Sequence, residues 1–334
     1  MSCTILAIES SCDETSAAVI QNGNILSNII ATQAIHEQYG GVVPELASRA
    51  HMQNIVPVIE SALTKANITK NDLNAVAFTQ GPGLLGALVV GVSFAKAFAL
   101  GLNIPLIGVN HMQAHILAHF IDQPQPTFPF LCLTVSGGHT QIVLVKSHLQ
   151  MEVIGRTQDD AVGEAFDKTA KLLGLPYPGG PQLDKSSQGG NPQKYTFPSV
   201  DTPGLNYSFS GIKTAFMYFL RDQMAKNEQF IAQNITDICA SIQASIVEIL
   251  LKKLRKAAKE TGIKEIAIAG GVSANSWLRA KLQEEAVKHR WTVHVPAFEY
   301  CTDNAAMIAM AAHYKYEQQE FVNLQAGPLP RLAL

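Results

Sequence analysis

TILAIESSCDETSAAVIQNGNILSNIIAT, from Thr4 to Thr32, is the stretch on which the fold turns. Three apolar runs, at 4–9, 16–21 and 25–32, are separated by the polar turn Ser10 to Thr15 and by Asn22, Gly23 and Asn24, so they read as three short strands joined by hairpins. A helix at about 43–65 follows, then a strand at 75–79, the glycine-rich turn Gln80 to Gly83, a buried helix at 84–100 and a strand at 104–109. After a proline-rich joint at 123–129 the same order of elements begins again. Strands at 130–135, 140–145 and 151–157 lead into a helix at 163–173, and later come a strand at 265–269, a helix at 276–289, a strand at 292–295 and a helix at about 303–319. An insertion at 174–221 and a long helix at about 232–261 interrupt the second copy. The order repeats without repetition of the residues, which predicts a duplicated α/β chain. Its two lobes, 1–122 and 130–334, are expected to flank a central cleft.

With 334 residues, 47% hydrophobic and 16% charged, the chain can bury a large core and is not a disordered protein. A formal net charge of -2 excludes a strongly basic nucleic-acid platform but leaves room for a local basic patch, so an RNA partner would need other proteins to help hold it. The five cysteines, Cys3, Cys12, Cys132, Cys239 and Cys301, are scattered, odd in number and without a Cys-x-x-Cys pair, as befits reduced thiols in cytosol. The most apolar segment, 84–100, is broken by Ser93 and Lys96 and falls short of a bilayer span, and the chain start lacks a basic region followed by an apolar core. A soluble cytoplasmic protein with no membrane partner is expected.

If the strand ending at Val109 runs into a helix capped by Asn110, His111 and His115 lie one turn apart on one face, a spacing at which two imidazoles can share a metal ion. Paired histidines on a helix are also common as core or surface residues, so a third ligand is needed. If the halves face each other across a pseudo-twofold, the helix starting near Asp303 meets the His111 helix, and Asp303 becomes that third ligand; equally, Asp303 is an N-cap for its own helix. Two histidines and a carboxylate with open positions suit Fe, Zn or a similar ion that also touches substrate.

Small-residue turns sit at strand ends that correspond between the halves. Thr134, Val135, Ser136, Gly137 and Gly138 mirror the Ser10 to Thr15 turn, and Ala269 to Asn275 joins a strand to a helix; backbone amides at such turns can approach a phosphate. Asp167 reads either as one half of an exposed i, i+4 pair with Lys171 or, with Asp184, as an acceptor for the hydroxyls or amine of a polar ligand. The block Tyr207 to Thr214 is either a capped helix start or part of a lid.

Gly40 to Glu45, the pair His111 and His115, Ser136 to Thr140, Gly163 to Lys171, Gly270 to Asn275 and Cys301 to Asn304 together resemble the bacterial tRNA N6-adenosine threonylcarbamoyltransferase family, once labelled a sialoglycoprotein endopeptidase, over essentially the whole chain. The resemblance implies the duplicated fold of the actin, sugar-kinase and heat-shock ATPase superfamily. It implies transfer of a threonylcarbamoyl group from threonylcarbamoyl-AMP to N6 of the adenosine on the 3′ side of the anticodon, in tRNAs reading codons that begin with A, with release of AMP. It places one divalent ion, Fe(2+) or Zn(2+), on His111, His115 and Asp303, and the substrate on Thr134, Val135, Ser136, Gly137, Gly138, Asp167, Gly180, Asp184 and Asn275. The implied partners are tRNA, a shorter actin-like paralogue forming a heterodimer, and a small P-loop ATPase.

An activated mixed anhydride needs no covalent nucleophile, and no convincing Ser-His-Asp or Cys-His set is visible. Asp13 and Glu14, on the first turn, are the candidates for taking the proton from the adenosine amine. A metalloprotease would require Glu after the first histidine, where Met112 stands. An ATP-dependent kinase or ATPase of the same superfamily is the remaining alternative.

Overall fold

β1 (Thr4–Glu9) is buried along its whole length in the computed structural model, which describes residues 3–198 and 202–334. Burial on both faces accounts for an apolar run without alternation. β1 pairs antiparallel with β2 (Glu14–Gln21), which pairs antiparallel with β3 (Asn24–Thr32); the intervening Asn22 and Gly23 have φ of 50° and 81°, the left-handed pair of a tight hairpin. α1 (Pro44–Ala66), β4 (Ala75–Gly81), α2 (Leu85–Leu102) and β5 (Leu106–Asn110) follow, with β4 parallel to both β1 and β5. Ile55, Val58 and Ile59 of α1 and Val92 and Ala95 of α2 bury against Leu6, Ile8, Val19 and Phe78 of the sheet. α3 (His111–Leu117) starts directly from β5.

In the second unit β6 (Phe130–Val135), β7 (Thr140–Val145) and β8 (Met151–Arg156) lead into α4 (Val162–Leu172), α5 (Gly179–Ser186), α6 (Ser210–Met224) and α7 (Phe230–Thr261). β9 (Glu265–Ala269), α8 (Ser276–His289) and β10 (Thr292–His294) complete it, and α9 (Ala305–Glu317) ends the helices of the chain. The two sheets run β3-β2-β1-β4-β5 and β8-β7-β6-β9-β10, the same order strand for strand. This is the expected α/β class, a duplicated actin-like fold.

Three features differ from the expectation. The compact units are Met1–Gln125 with Lys146–Met151 and Pro296–Leu334, and Pro126–Val145 with Glu152–Val295, so the anticipated 130–334 lobe gives up its last helix. The small buried side chains Ala305, Ala306, Ala309 and Ala312 let α9 lie closely on β1 and β2 of the first unit. The insertion at 174–221 contains residues 199–201, which lie outside the described ones; of its block read as a helix start or part of a lid, Tyr207 and Phe209 are fully buried, with Phe216, in the second core. Finally, α2 continues to Leu102 and, like α7, is long and apolar enough to cross a bilayer by composition; 61% of the α7 window is buried inside the protein, so its apolarity serves the core.

Close backbone approaches tie the second unit together. Gly270, between β9 and α8, has φ of +88°, and a Cβ there would lie 2.5 Å from the Val135 carbonyl oxygen. Asp159 accepts hydrogen bonds from the Phe209 amide (2.8 Å) and from the hydroxyls of Ser208 (2.5 Å) and Ser210 (2.7 Å), fastening the loop after β8 to the start of α6. Burial pushes this carboxyl up, but the donors around it outweigh that and hold it below its ordinary value.

Gly270→Ala is expected to lower the unfolding free energy by about 2 kcal/mol in urea titrations, because it adds both left-handed strain and a clash with backbone. The contribution of Asp159 is present above the unfolded carboxyl pKa of about 4 and is lost as pH falls through the lower folded value. The stability difference between wild type and Asp159→Ala should therefore be larger at neutral pH than at about pH 3.

Candidate metal centre

Asn110 closes β5 and caps α3: its Oδ1 accepts from the amides of Met112 (2.9 Å) and Gln113 (3.1 Å), while its Nδ2 donates to the carbonyl oxygen of Ala333 (2.9 Å). The helix thus begins where the spacing predicts, and His111 and His115 share a face. Both are buried, with ring centroids 4.6 Å apart and planes at 84°. Asp303 arrives from the segment before α9, within the same compact unit and not from an opposing half. Its capping alternative falls to Asn304, whose Oδ1 accepts from the Met307 amide at 3.0 Å. Asp303 is left to face the imidazoles, with Oδ1 3.3 Å from His111 Nε2 and 3.2 Å from His115 Nε2.

These three residues are a group that can hold a metal ion, with all donor atoms within 4.8 Å of one another. Zinc-type ligand bonds of about 2.1 Å put neighbouring donors of a tetrahedron roughly 3.4 Å apart, which is close to the His–Asp spacing found here. The Asp303 side chain keeps 22% of its surface exposed while His115 keeps none, so the group opens on the carboxylate side.

Glu9, which no spacing along the chain marks as a site residue, lies beneath this group. The end of β1 buries it completely, and its Oε2 stands 3.1 Å from His111 Nδ1 and accepts the Thr79 hydroxyl at 2.6 Å. The signal was a carboxylate continuing an otherwise apolar strand. Glu14, at the start of β2, shares the same surroundings: burial and the carboxylates of Asp303 and Asp13 push it up to about 9. Burial also opposes charge on Asp303 and His111, yet their mutual attraction wins, holding Asp303 below and His111 well above the ordinary value. His115 is lowered, chiefly by burial. A site in which carboxylates crowd until one is driven to protonation is one that a cation would relieve. From α1, buried His51 braces the turn bearing Asp13 and Glu14, its Nδ1 2.8 Å from the Thr15 hydroxyl and its Nε2 donating to the Cys12 carbonyl at 3.0 Å.

The remaining expected site residues lie in the second unit. Thr134 and Val135 end β6 and are buried; Gly137 and Gly138 are exposed, and a Cβ on either would meet nothing. Gly163, by contrast, passes so close that a Cβ would stand 2.7 Å from the Ser136 carbonyl oxygen. Asp167, on α4, spends Oδ1 on the amides of Gly179 (2.8 Å) and Gly180 (3.2 Å) at the start of α5, not on an ion pair with Lys171. Asp184 places one oxygen on the Ser276 amide (3.0 Å) and the other on its hydroxyl (2.7 Å), bracing the start of α8. Asn275 caps that helix through Leu278 N (2.9 Å) and donates to Gln243 Oε1 (2.9 Å). The structure therefore gathers these residues around the ends of β6 and β9 and the starts of α5 and α8, and gives Asp167, Asp184 and Asn275 bracing contacts that spacing did not reveal.

The family profile described as tRNA N6-adenosine threonylcarbamoyltransferase matches residues 24–310. The chain is 63% identical over 334 residues to the protein of that name from Cytophaga hutchinsonii, covering 100% of this chain and 97% of the relative. It is 63% identical over 322 residues to the protein of that name from Christiangramia forsetii, covering 96% and 95%. In fold it is similar to full-length HypF in its phosphate- and nucleotide-bound form, with a TM-score of 0.63 at 14% identity over 95% of this chain and 47% of that one. The chain belongs to the tRNA N6-adenosine threonylcarbamoyltransferase family, transferase enzymes that modify tRNA.

Proposed function

We propose that this enzyme moves a threonylcarbamoyl group from threonylcarbamoyl-AMP to N6 of the adenosine on the 3′ side of the anticodon, in tRNAs reading codons that begin with A. The N6–carbonyl bond forms, the carbonyl–phosphate bond breaks, AMP leaves, and one proton is lost from the amine. The observation that carries the metal-dependent part is the convergence of both Nε2 atoms on Asp303 Oδ1 at 3.2–3.3 Å. His111, His115 and Asp303 would hold one divalent ion; two nitrogens and one carboxylate favour Fe(2+) or Zn(2+) over Mg(2+). Bound there, such an ion supplies Lewis-acid polarisation of donor oxygens.

Asp13 or Glu14 accepts the amine proton. In the second unit, the exposed turn at Gly137 and Gly138, where a Cβ would meet nothing, is suited to a phosphate or a developing oxyanion. Val135 and Gly270 bring two strand ends together beside them, and Asp167 keeps Oδ2 for a ligand while Oδ1 holds Gly179 and Gly180. Thr134, Ser136, Gly180, Asp184 and Asn275 complete the substrate-holding set as scaffold.

With a net charge of -2 the chain has little general affinity for tRNA, which supports work in a complex. Leu85, Val89 and Leu100 on α2, and Met52 and Val56 on α1, are exposed apolar side chains on two helices that pack together, a surface fit for the shorter actin-like paralogue. The small P-loop ATPase is the further partner, and the cytoplasm, where tRNA and reduced thiols coexist, is the location.

In cells depleted of this protein, nucleoside mass spectrometry of tRNA should show loss of the threonylcarbamoyl adduct, restored by wild type and not by Asp303→Ala; a normal adduct level after depletion would overturn the proposal and favour the kinase or ATPase alternative. In calorimetric titrations with Zn(2+), His111→Ala and His115→Ala should each weaken binding at least 100-fold with the fold retained by circular dichroism, since each removes one of three ligands.

A further inference from the structure

We infer that Glu9 is a positioning residue for His111: its carboxylate holds the Nδ1 proton so that Nε2 presents its lone pair to the bound cation. The inference rests on the metal-centre proposal and deepens it.

The carboxylate is oriented before His111 is considered. Glu9 Oε1 accepts the Ser11 amide at 2.5 Å and Oε2 accepts the Thr79 hydroxyl at 2.6 Å, so one donor from the following turn and one from β4 fix both oxygens. At 0% exposure no water competes for the remaining capacity of Oε2, which lies 3.1 Å from His111 Nδ1. Were the proton on Nε2, the Nδ1 lone pair would face this oxygen across that gap, two acceptors in a buried setting. With the proton on Nδ1, the contact becomes a charge-assisted hydrogen bond and Nε2, 3.3 Å from Asp303 Oδ1, is free to bind metal. The Ser11 hydroxyl, 3.3 Å from the same Nδ1, lies beside this contact.

The two histidines are unequal in this respect. His115 has its Nδ1 buried with no hydrogen-bond partner, so its ring is held by packing and by the Nε2 contact with Asp303 alone. Among the described residues, Glu9 is also one of two carboxylates that touch the histidine pair, the other being Asp303. Two anionic carboxylates and two neutral imidazoles balance one divalent cation, so removing the Glu9 charge should weaken the ion's hold as well as release the ring.

The test is a Zn(2+) titration of the full chain, stripped with chelator, by calorimetry, for wild type, Glu9→Gln, Glu9→Asp and Thr79→Val, together with nitrogen NMR of the histidine rings in the zinc-loaded protein. Wild type should bind one Zn(2+) with His111 carrying its proton on Nδ1. Glu9→Gln should bind about 10- to 100-fold more weakly, with a mixture of His111 ring forms, and Glu9→Asp should recover part of the loss. Thr79→Val, which loosens the carboxylate and keeps its charge, should show a smaller loss in the same direction. Equal affinity and an unchanged Nδ1 proton in Glu9→Gln would overturn the role of Glu9; if that variant does not fold, unaltered affinity in Thr79→Val would do so. Failure of wild type itself to bind Zn(2+) or Fe(2+) would instead overturn the metal centre, and this inference with it.

Discussion

Charge buried without water must find charge or hydrogen bonds within the protein, and in the first unit that requirement joins five pieces of chain. Glu9 ends β1, Thr79 lies near the end of β4, His111 and His115 open α3 after β5, Glu14 opens β2, and Asp303 precedes α9. None of these elements is near another in sequence except β1 and β2. What brings them together is apolar packing: strands buried on both faces by α1, α2 and the alanine-rich α9. The ionisable groups stand at the strand ends, where the sheet stops and packing alone cannot satisfy them.

The same strand order carries two kinds of strand end. In the first sheet the turn after its leading strand carries Asp13 and Glu14, and the last strand leads to the histidine helix. In the second, the corresponding turn carries Gly137 and Gly138, and helix starts are braced by Asp167, Asp184 and Asn275. The first copy concentrates side-chain charge, and the second removes side chains so that backbone can be approached. The acyl transfer proposed above, from an already activated donor, would use this division: one site to orient and polarise, one to hold an adenylate, and no residue required to form a covalent intermediate.

Much of the fold was legible along the chain. The expected strands at 4–9, 130–135, 140–145 and 265–269 coincide with β1, β6, β7 and β9, because buried strands of Val, Ile, Leu and Ala differ plainly from the Gly, Asn and Pro between them. The duplicated order followed from counting these runs. The histidine pair was legible for a local reason, since Asn110 caps the helix and i, i+4 spacing needs no tertiary knowledge. Glu9 was not legible as a functional residue, because its partners His111 and Thr79 are 102 and 70 residues away.

The sequence by itself determined the α/β class, the repeat of three strands and alternating helices, the helix that carries His111 and His115, and the family. Those depend on periodicity, caps and turn chemistry, all local properties of the chain. Only the tertiary structure decided that α9 returns to the first unit, that Asn304 and not Asp303 caps it, that Asp167 and Asp184 brace helix starts, and that Glu9 lies against His111. Each is a choice between local states of similar energy, an Asp that can cap a helix or ligate, a Glu that can face water or a ring, and burial against distant partners decides between them.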